Sequence, residues 1–504
     1  MNIYGFNSSV FNNDVLKDFD AVEQTINLPL DFRHAMIVGE TGCGKTTSAI
    51  LPILNNRIQK GHGILMFDYK GAEHLKVKAL AKKHNRLKDV VMINVPWGKN
   101  INFIEAGDPA FISQNLEKIY LTSNNNDFWA KCAGSYLSGV ISMLSAMRNI
   151  ALSLNNFLPN SVDEIPQNTI KVVLEKLNSP EKFFYFYRDV KAFYNKYLCN
   201  EISSYIAHLP KNIASKILRE FYAMRKINKP KFEKFLNENE IFSKFVSNYN
   251  EGPTALFTKN ITAMFASLNR VADIEYINKD ENSLFEMLNS GKIVIVNCDN
   301  LDNAILAILL SATLDGLTKR CSLNIKTAIS IIIDEAQKVL CEGTDLHADV
   351  LRESQTELIL AFQNEDLMKT KIGTTQYSAL KQNLTHKFIY KNQKSDYFSE
   401  SYNLKQFECY NNDNKKLEKM KPIFLDKNEL DKAELCFQKI NGVFNKFASG
   451  EYDENSIVVY DSNLFRNEAK VILKNIKSKE IKNIPSLSNE EAAMLLESLK
   501  NLRG

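Results

Sequence analysis

GETGCGKT, residues 39–46, is the stretch that decides the fold. It matches Gly-x-x-x-x-Gly-Lys-Thr at every fixed position. Its context fits as well. HAMIVG (34–39) reads as a short buried strand entering the loop, and a helix is expected from Lys45 to about Gln59. The glycines let backbone amides wrap phosphate oxygens. Lys45 places a cation near the β and γ oxygens, and the Thr46 hydroxyl is suited to a magnesium ion. The helix N-terminus adds partial positive charge. Gly39, Glu40, Thr41, Gly42, Cys43, Gly44, Lys45, Thr46 and Thr47 are therefore the expected nucleotide-binding segment, with ATP and Mg2+ as ligands. Cys43 reads as a small residue of the loop.

A phosphate-loop ATPase also needs a carboxylate at a strand end for the metal and a second acid to orient water. Two apolar runs end on aspartate: GILMFDYKGAEH (63–74) at Asp68 and AISIIIDEAQ (328–337) at Asp334. Only the second offers adjacent acids. Asp334 is the expected metal ligand and Glu335 the expected base. Asp68 is followed by Tyr69, Lys70 and Gly71, which leaves Lys70 to contact nucleotide or a neighbouring subunit, or simply to sit in a turn. Gln363 ends the strand-like ELILAFQ (357–363), where a polar group beside the γ-phosphate can sense it. Arg352, eleven residues earlier, is an exposed-arginine candidate for a neighbouring subunit's nucleotide.

The chain has 504 residues, 44% hydrophobic and 24% charged, with net charge +4. That is the composition of a globular protein of two or three domains, and any basic surface must be local. Eight scattered cysteines show no Cys-x-x-Cys spacing and no zinc pattern, so reduced thiols are expected. The N-terminus lacks a signal-peptide core. YLSGVISMLSAMRNIALSL (136–154) is the nearest approach to a membrane span. Its serines, asparagine and Arg148 favour a buried helix.

Strand–helix–strand alternation continues through GILMFDY and VVMINV, and strands return at KIVIVN (292–297), AISIIID, ELILAFQ and KFIYKN (387–392). LAILLSATLDGLTKR between the first two of these reads as an amphipathic helix. The fold class is α/β with a mainly parallel central sheet. Between about 110 and 250 helical periodicity dominates, with an aromatic core expected from KFFYFYRDVKAFYNKYL (182–198). The expected division is 1–110 with 250–410 as a discontinuous nucleotide-binding domain, 111–249 as an inserted all-helical domain, and 411–504 as an extension closing on the first. SNEEAAMLLESL, with Ser488 and Glu491 as a capping box, is the last expected helix.

In order, the phosphate loop, FDYKGAE, the helical insert, DEAQ, Arg352 and Gln363 resemble the type IV coupling proteins, the conjugation and secretion ATPases of the FtsK/HerA superfamily. The family's Asp-x-Lys-Gly-Glu-like segment reads Asp68-Tyr69-Lys70-Gly71-Ala72-Glu73 here, with Ala72 where its Glu usually stands and Glu73 one step later. Phe128, Trp129 and Ala130 look like its Phe-Trp…Ala signature, although the Ala comes early. The resemblance implies a RecA-like ATPase domain, with Lys45, Glu335, Gln363 and the arginine finger Arg352 in catalysis and Thr46 and Asp334 at the metal. It also implies a homo-hexameric ring around DNA, a monomer being the alternative in isolation. The helical domain would recruit a relaxosome or secreted protein to a type IV secretion channel. Most coupling proteins place transmembrane helices before the ATPase. A phosphate loop at residue 39 with no span suggests a cytoplasmic or membrane-peripheral member.

KVKALAKKHNRLK (76–88) and KILREFYAMRKINKPKFEK (216–234) concentrate the lysine and arginine that phosphate contacts need, although solvated helix faces look the same. Phe221 and Tyr222 are expected in the core. Two other readings compete with delivery of DNA or protein to a secretion channel. One is a DNA motor in mobile-element maintenance or anti-phage defence. The other is an adaptor whose assembly ATP controls. An ABC transporter is disfavoured because LSGV (137–140) is an incomplete signature, and a kinase because no acceptor motif is present.

Overall fold

The continuous apolar runs form strands because both faces of the sheet are covered. The computed structural model describes residues 28–105, 108–118, 127–200, 202–247, 265–325, 327–392, 399–411, 416–448 and 463–465. Among these residues the sheet has nine strands: β1 (Ala35–Val38), β2 (Gly63–Asp68), β3 (Val90–Ile93), β4 (Ile293–Asn297), β5 (Ile329–Ile333), β6 (Thr356–Phe362), β7 (His386–Ile389), β8 (Glu408–Asn411) and β9 (Lys416–Lys419). The spatial order is β3-β4-β2-β5-β6-β1-β7-β8-β9. The first seven pair in parallel; β8 and β9 join as an antiparallel hairpin. Every residue of β1, β2, β4, β5 and β6 is buried, as parallel strands covered on both sides require.

Alternate residues feed two cores. Met36, Val38, Leu65 and Phe67 join one that continues into the inserted helices. Ala35, Ile37, Ile64 and Met66 join the other, against helices α1 (Leu51–Gln59) and α2 (Glu73–Lys83). Each fully buried Leu, Ile or Phe contributes about 1.5–3 kcal/mol. The two cores therefore fix where the strands end, and the chemistry stands on those ends. A fully buried bidentate pair, Arg57 to Glu357, ties α1 to the start of β6.

Helices Pro109–Leu116, Asp127–Phe157, Ile170–Leu177, Pro180–Tyr194 and Lys211–Ser247 lie between β3 and β4 in sequence. Their core is aromatic: Phe183, Phe186, Tyr187, Phe193, Phe221 and Phe232 are buried. Tyr222 departs from expectation and is exposed, because it sits one position round the helix from Phe221. Helix Lys131–Phe157 is long and apolar enough to cross a membrane by length and composition, and half of its apolar window is buried inside the protein.

Two further expectations change. Helix Asn303–Thr318 is not amphipathic: Ile305 to Leu317 are all buried, because Pro109–Leu116 covers the side a surface helix would expose. The β8–β9 hairpin was not anticipated. Helix Lys427–Ala448 follows it and packs on α2. The expected helix at Ser488 and the side chains of Phe128, Trp129 and Ala130 lie outside the described residues.

Candidate active site

The strand order brings the phosphate loop, Asp334, Glu335 and Gln363 to one end of the sheet. β6 lies between β1, which carries the phosphate loop, and β5, which carries Asp334. Gln363 follows β6 directly and emerges between the two. Gly44 adopts φ +101°, and a Cβ there would stand 2.4 Å from the Phe407 ring, so only glycine fits. At Gly39 a Cβ would meet Tyr390 Cβ at 2.6 Å. Helix formation then begins at Thr46, one residue after the expected start at Lys45, with a wide first turn before α1. Ser48 N–H and Oγ both donate to Gly44 O, which fixes the loop exit.

Lys45 is buried and folds back on its own loop, donating to Gly39 O at 2.5 Å and Glu40 O at 3.0 Å. The Thr46 hydroxyl donates to Asp334 Oδ2 at 3.0 Å across 288 residues of sequence. Asp334 Oδ1 is buried with no hydrogen-bond partner among the described residues. A desolvated carboxylate oxygen left bare is costly. Beside a hydroxyl, it suits a hard divalent cation with oxygen ligands, so the residues present fit Mg2+.

Glu335 stands in the left-handed region at φ +65°, a strained conformation for a non-glycine residue of the kind that gathers at functional sites. Its Oε2 accepts from Gln363 Nε2 at 3.3 Å and from Gln337 Nε2. Its Oε1 lies 3.1 Å from Lys70 Nζ, which also donates to Asp334 Oδ2 at 3.0 Å. Burial pushes the Glu335 pKa up, but Lys70, Gln337 and Lys45 outweigh it and hold the carboxyl below its ordinary value. For Lys70, burial works against the charge, and the two acids raise its pKa well above the usual lysine range.

Asp68 has a different task. Its carboxylate accepts from Glu73 N at 3.1 Å and His74 N at 3.0 Å, with His74 Nδ1 at 2.6 Å. The N-cap residue of α2 is Ala72, which has no side-chain cap to offer. Asp68 supplies those acceptors from the strand end instead.

Gln337, the pairing of Lys70 with Asp334 and Glu335, and the segments flanking the β8–β9 hairpin are what sequence reasoning missed. Gln337 was visible only as a letter in DEAQ; its amide needs the left-handed turn at Glu335 to reach back. The residues on both sides of the β8–β9 hairpin lie on the phosphate loop and the helix start. Gln406 Nε2 donates to Gly42 O at 3.2 Å, Phe407 N to Cys43 O at 3.0 Å, and Ile423 N to Thr47 O at 2.8 Å. The Cys43 thiol is buried, and burial raises its pKa, which agrees with an inert small residue.

Arg352 is not in this cluster. It is exposed, four residues before β6, whereas Gln363 follows the strand's other end. Seven strand residues span about 20 Å. Arg352 therefore stands at the opposite end of β6 from its own chain's phosphate loop.

The two basic stretches also part company. In 76–88, Lys76 pairs with Glu73, Lys82 with Glu429 and Arg86 with Asp89. Lys78 is fully buried over the Phe465 ring at 3.9 Å. That stretch holds the fold together. On helix Lys211–Ser247, by contrast, Lys216, Arg219, Lys226, Lys231 and Lys234 are exposed.

Residues 12–201 match the family described as Type IV secretory system Conjugative DNA transfer. Similar solved structures include the bacterial conjugative coupling protein TrwBdeltaN70 in its unbound monoclinic form, at 12% identity over 81% of this chain and 90% of that one, TM-score 0.46. The plasmid coupling protein TrwB in complex with ADP and Mg2+ is 12% identical over 81% and 91%, TM-score 0.45. VirB4 of Thermoanaerobacter pseudethanolicus is 12% identical over 79% and 91%, TM-score 0.43. No curated protein matches the chain. Over residues 12–201, which include the phosphate loop and the Asp68–Glu73 segment, the chain is similar to the conjugative DNA-transfer proteins of type IV secretory systems.

Proposed function

We propose that the protein is an ATP-hydrolysing, DNA-translocating motor of the coupling-protein kind, delivering DNA or a nucleoprotein substrate to a type IV secretion or conjugation channel. The observation that carries the ATPase part is the contact of Thr46 with Asp334, with Glu335 and Gln363 joined beside it. The family match of residues 12–201 supports the transport part.

Thr46 and Asp334 would hold Mg2+, which supplies charge neutralisation at the β and γ oxygens when bound with ATP. Lys45 turns from its loop carbonyls to those oxygens. Glu335, kept ionised, accepts a proton from the attacking water. Gln363 holds the Glu335 carboxylate and sits where the γ-phosphate would end. Arg352 completes the site of a neighbouring copy, which makes a ring, and by the family's pattern a hexamer, the working form. The helices between β3 and β4 form one recruiting unit, and the exposed lysines and arginine of Lys211–Ser247 offer phosphate contacts. The motor works in the cytoplasm, at the inner face of the membrane.

The test is hydrolysis with and without DNA at low salt, together with subunit mixing. Lys45→Ala and Arg352→Ala are each expected to be inactive. Mixed, they should recover part of the activity, because one supplies the finger and the other the nucleotide site. Equal hydrolysis with and without DNA, and no DNA binding at low salt, would remove the motor reading. No recovery on mixing would remove Arg352 from catalysis in trans.

A further inference from the structure

We propose that Lys70 is a displaceable counter-ion for Asp334 and Glu335, one that occupies the cation position until a magnesium–nucleotide arrives and then gives it up. The proposal rests on the ATPase reading above.

Two adjacent carboxylates on nearly buried side chains repel each other unless a cation lies between them. Lys70 Nζ is placed to be that cation, 3.0 Å from Asp334 Oδ2 and 3.1 Å from Glu335 Oε1. Asp334 Oδ2 thus has two donors, Lys70 and Thr46, and Oδ1 has none. The other nearby lysine, Lys45, is occupied by Gly39 O and Glu40 O. A divalent ion on Asp334 and Thr46 would meet the ammonium group as a like charge at close range, and the monovalent one must withdraw.

Lys70 is built to leave. Its side chain is 42% exposed, against 3% for Asp334 and 11% for Glu335. It stands on a turn whose next residue, Gly71, has φ +72° and open space around it. The foot of that turn is held, because Asp68 pins the first turn of α2. The arrangement is a free head on a fixed base. Lys70 is therefore a positioning residue: it holds the two carboxylates in place for the ligand that replaces it.

The experiment is a magnesium titration of binding to a fluorescent ADP analogue, using the full chain as wild type, Lys70→Met and Lys70→Arg. Thermal unfolding is followed in parallel. Removing a competing ion pair of this exposure should lower the half-saturating magnesium concentration about two- to fivefold in Lys70→Met. Lys70→Arg should stay near wild type. Without ligand, Lys70→Met should melt lower than wild type, and saturating magnesium–ADP should remove the difference. An unchanged or higher magnesium requirement in Lys70→Met overturns the proposal. Weaker nucleotide binding at saturating magnesium does so as well, because it makes Lys70 a phosphate ligand. If the wild type binds no magnesium–nucleotide, the ATPase reading itself falls.

Discussion

The ends of β2 and β5 form a natural comparison. The strands are neighbours, parallel, with Met66 paired to Ile332, so Asp68 and Asp334 follow them at the same level. Each aspartate is buried at the C-terminal end of an apolar run. Their fates differ because of what comes next. After Asp68 the chain makes a short turn and starts an eleven-residue helix whose N-cap is Ala72. The orphan amides of that helix need acceptors, and Asp68 is the nearest. After Asp334 comes a left-handed Glu335 and only a three-residue helical turn, Ala336–Lys338. No long helix claims the carboxylate, which turns to Thr46. Strand order adds to this: a single strand separates β5 from β1, whereas two separate β2 from it. An acid at a strand end thus becomes structural or chemical according to the segment that follows and the distance to the phosphate loop.

The strongest way to break the comparison is catalytic. Asp334→Asn should cut magnesium-dependent hydrolysis by about 1000-fold, roughly 4 kcal/mol of transition-state stabilisation. Asp68→Asn, corrected for folded fraction, should stay within about threefold of wild type. Equal losses would mean that both acids serve the chemistry. Next comes stability. Asp68→Ala strips the acceptors from two buried amides and from His74, so chemical denaturation should show a loss of about 2–4 kcal/mol. Asp334→Asn should change it by less than about 1 kcal/mol. The smallest effect is in acid. Burial pushes the Asp68 pKa up, but His74 and the amides of Glu73 and His74 outweigh it, holding it below its ordinary 3.8. Its stabilisation is therefore fully present above the unfolded value and is lost as pH falls through the lower folded value. In Asp68→Asn that part of the acid-unfolding slope should disappear, which midpoints measured between pH 4 and 2 would show.

Five of the parallel strands, β1, β2, β4, β5 and β6, were legible as buried runs, β3 and β7 as shorter, partly buried ones, and the acid pair because Glu335 stands beside Asp334. What was not legible depends on distant residues meeting. Lys70 reaches Asp334 only because β2 and β5 are neighbours. Phe407 reaches Gly44 only because β7 and β8 pair. Strands β8 and β9, ECYN and KLEK, are short and carry charge, so no apolar run marks them. The basic stretch at 76–88 misleads for the converse reason: its charges are visible in sequence, and the acids that neutralise Lys82 and Lys76 are not read from it.

The strand order also sets a schedule for the ribosome. Among the described strands, β1 pairs with β6 and β7, and β2 with β4 and β5. The helices between β3 and β4 must be synthesised before any of these partners exists. At about 5–20 residues per second, Val38 waits roughly 15–60 s for Phe362 to be made. Until β4 is made the nascent chain carries three strands, β1, β2 and β3, with no partner to join, and β1 waits longest, while the helical insert has its own neighbours at hand. The strands that carry the phosphate loop are thus translated before the helical insert and are among the last to take shape, and they are the ones a chaperone would have reason to hold.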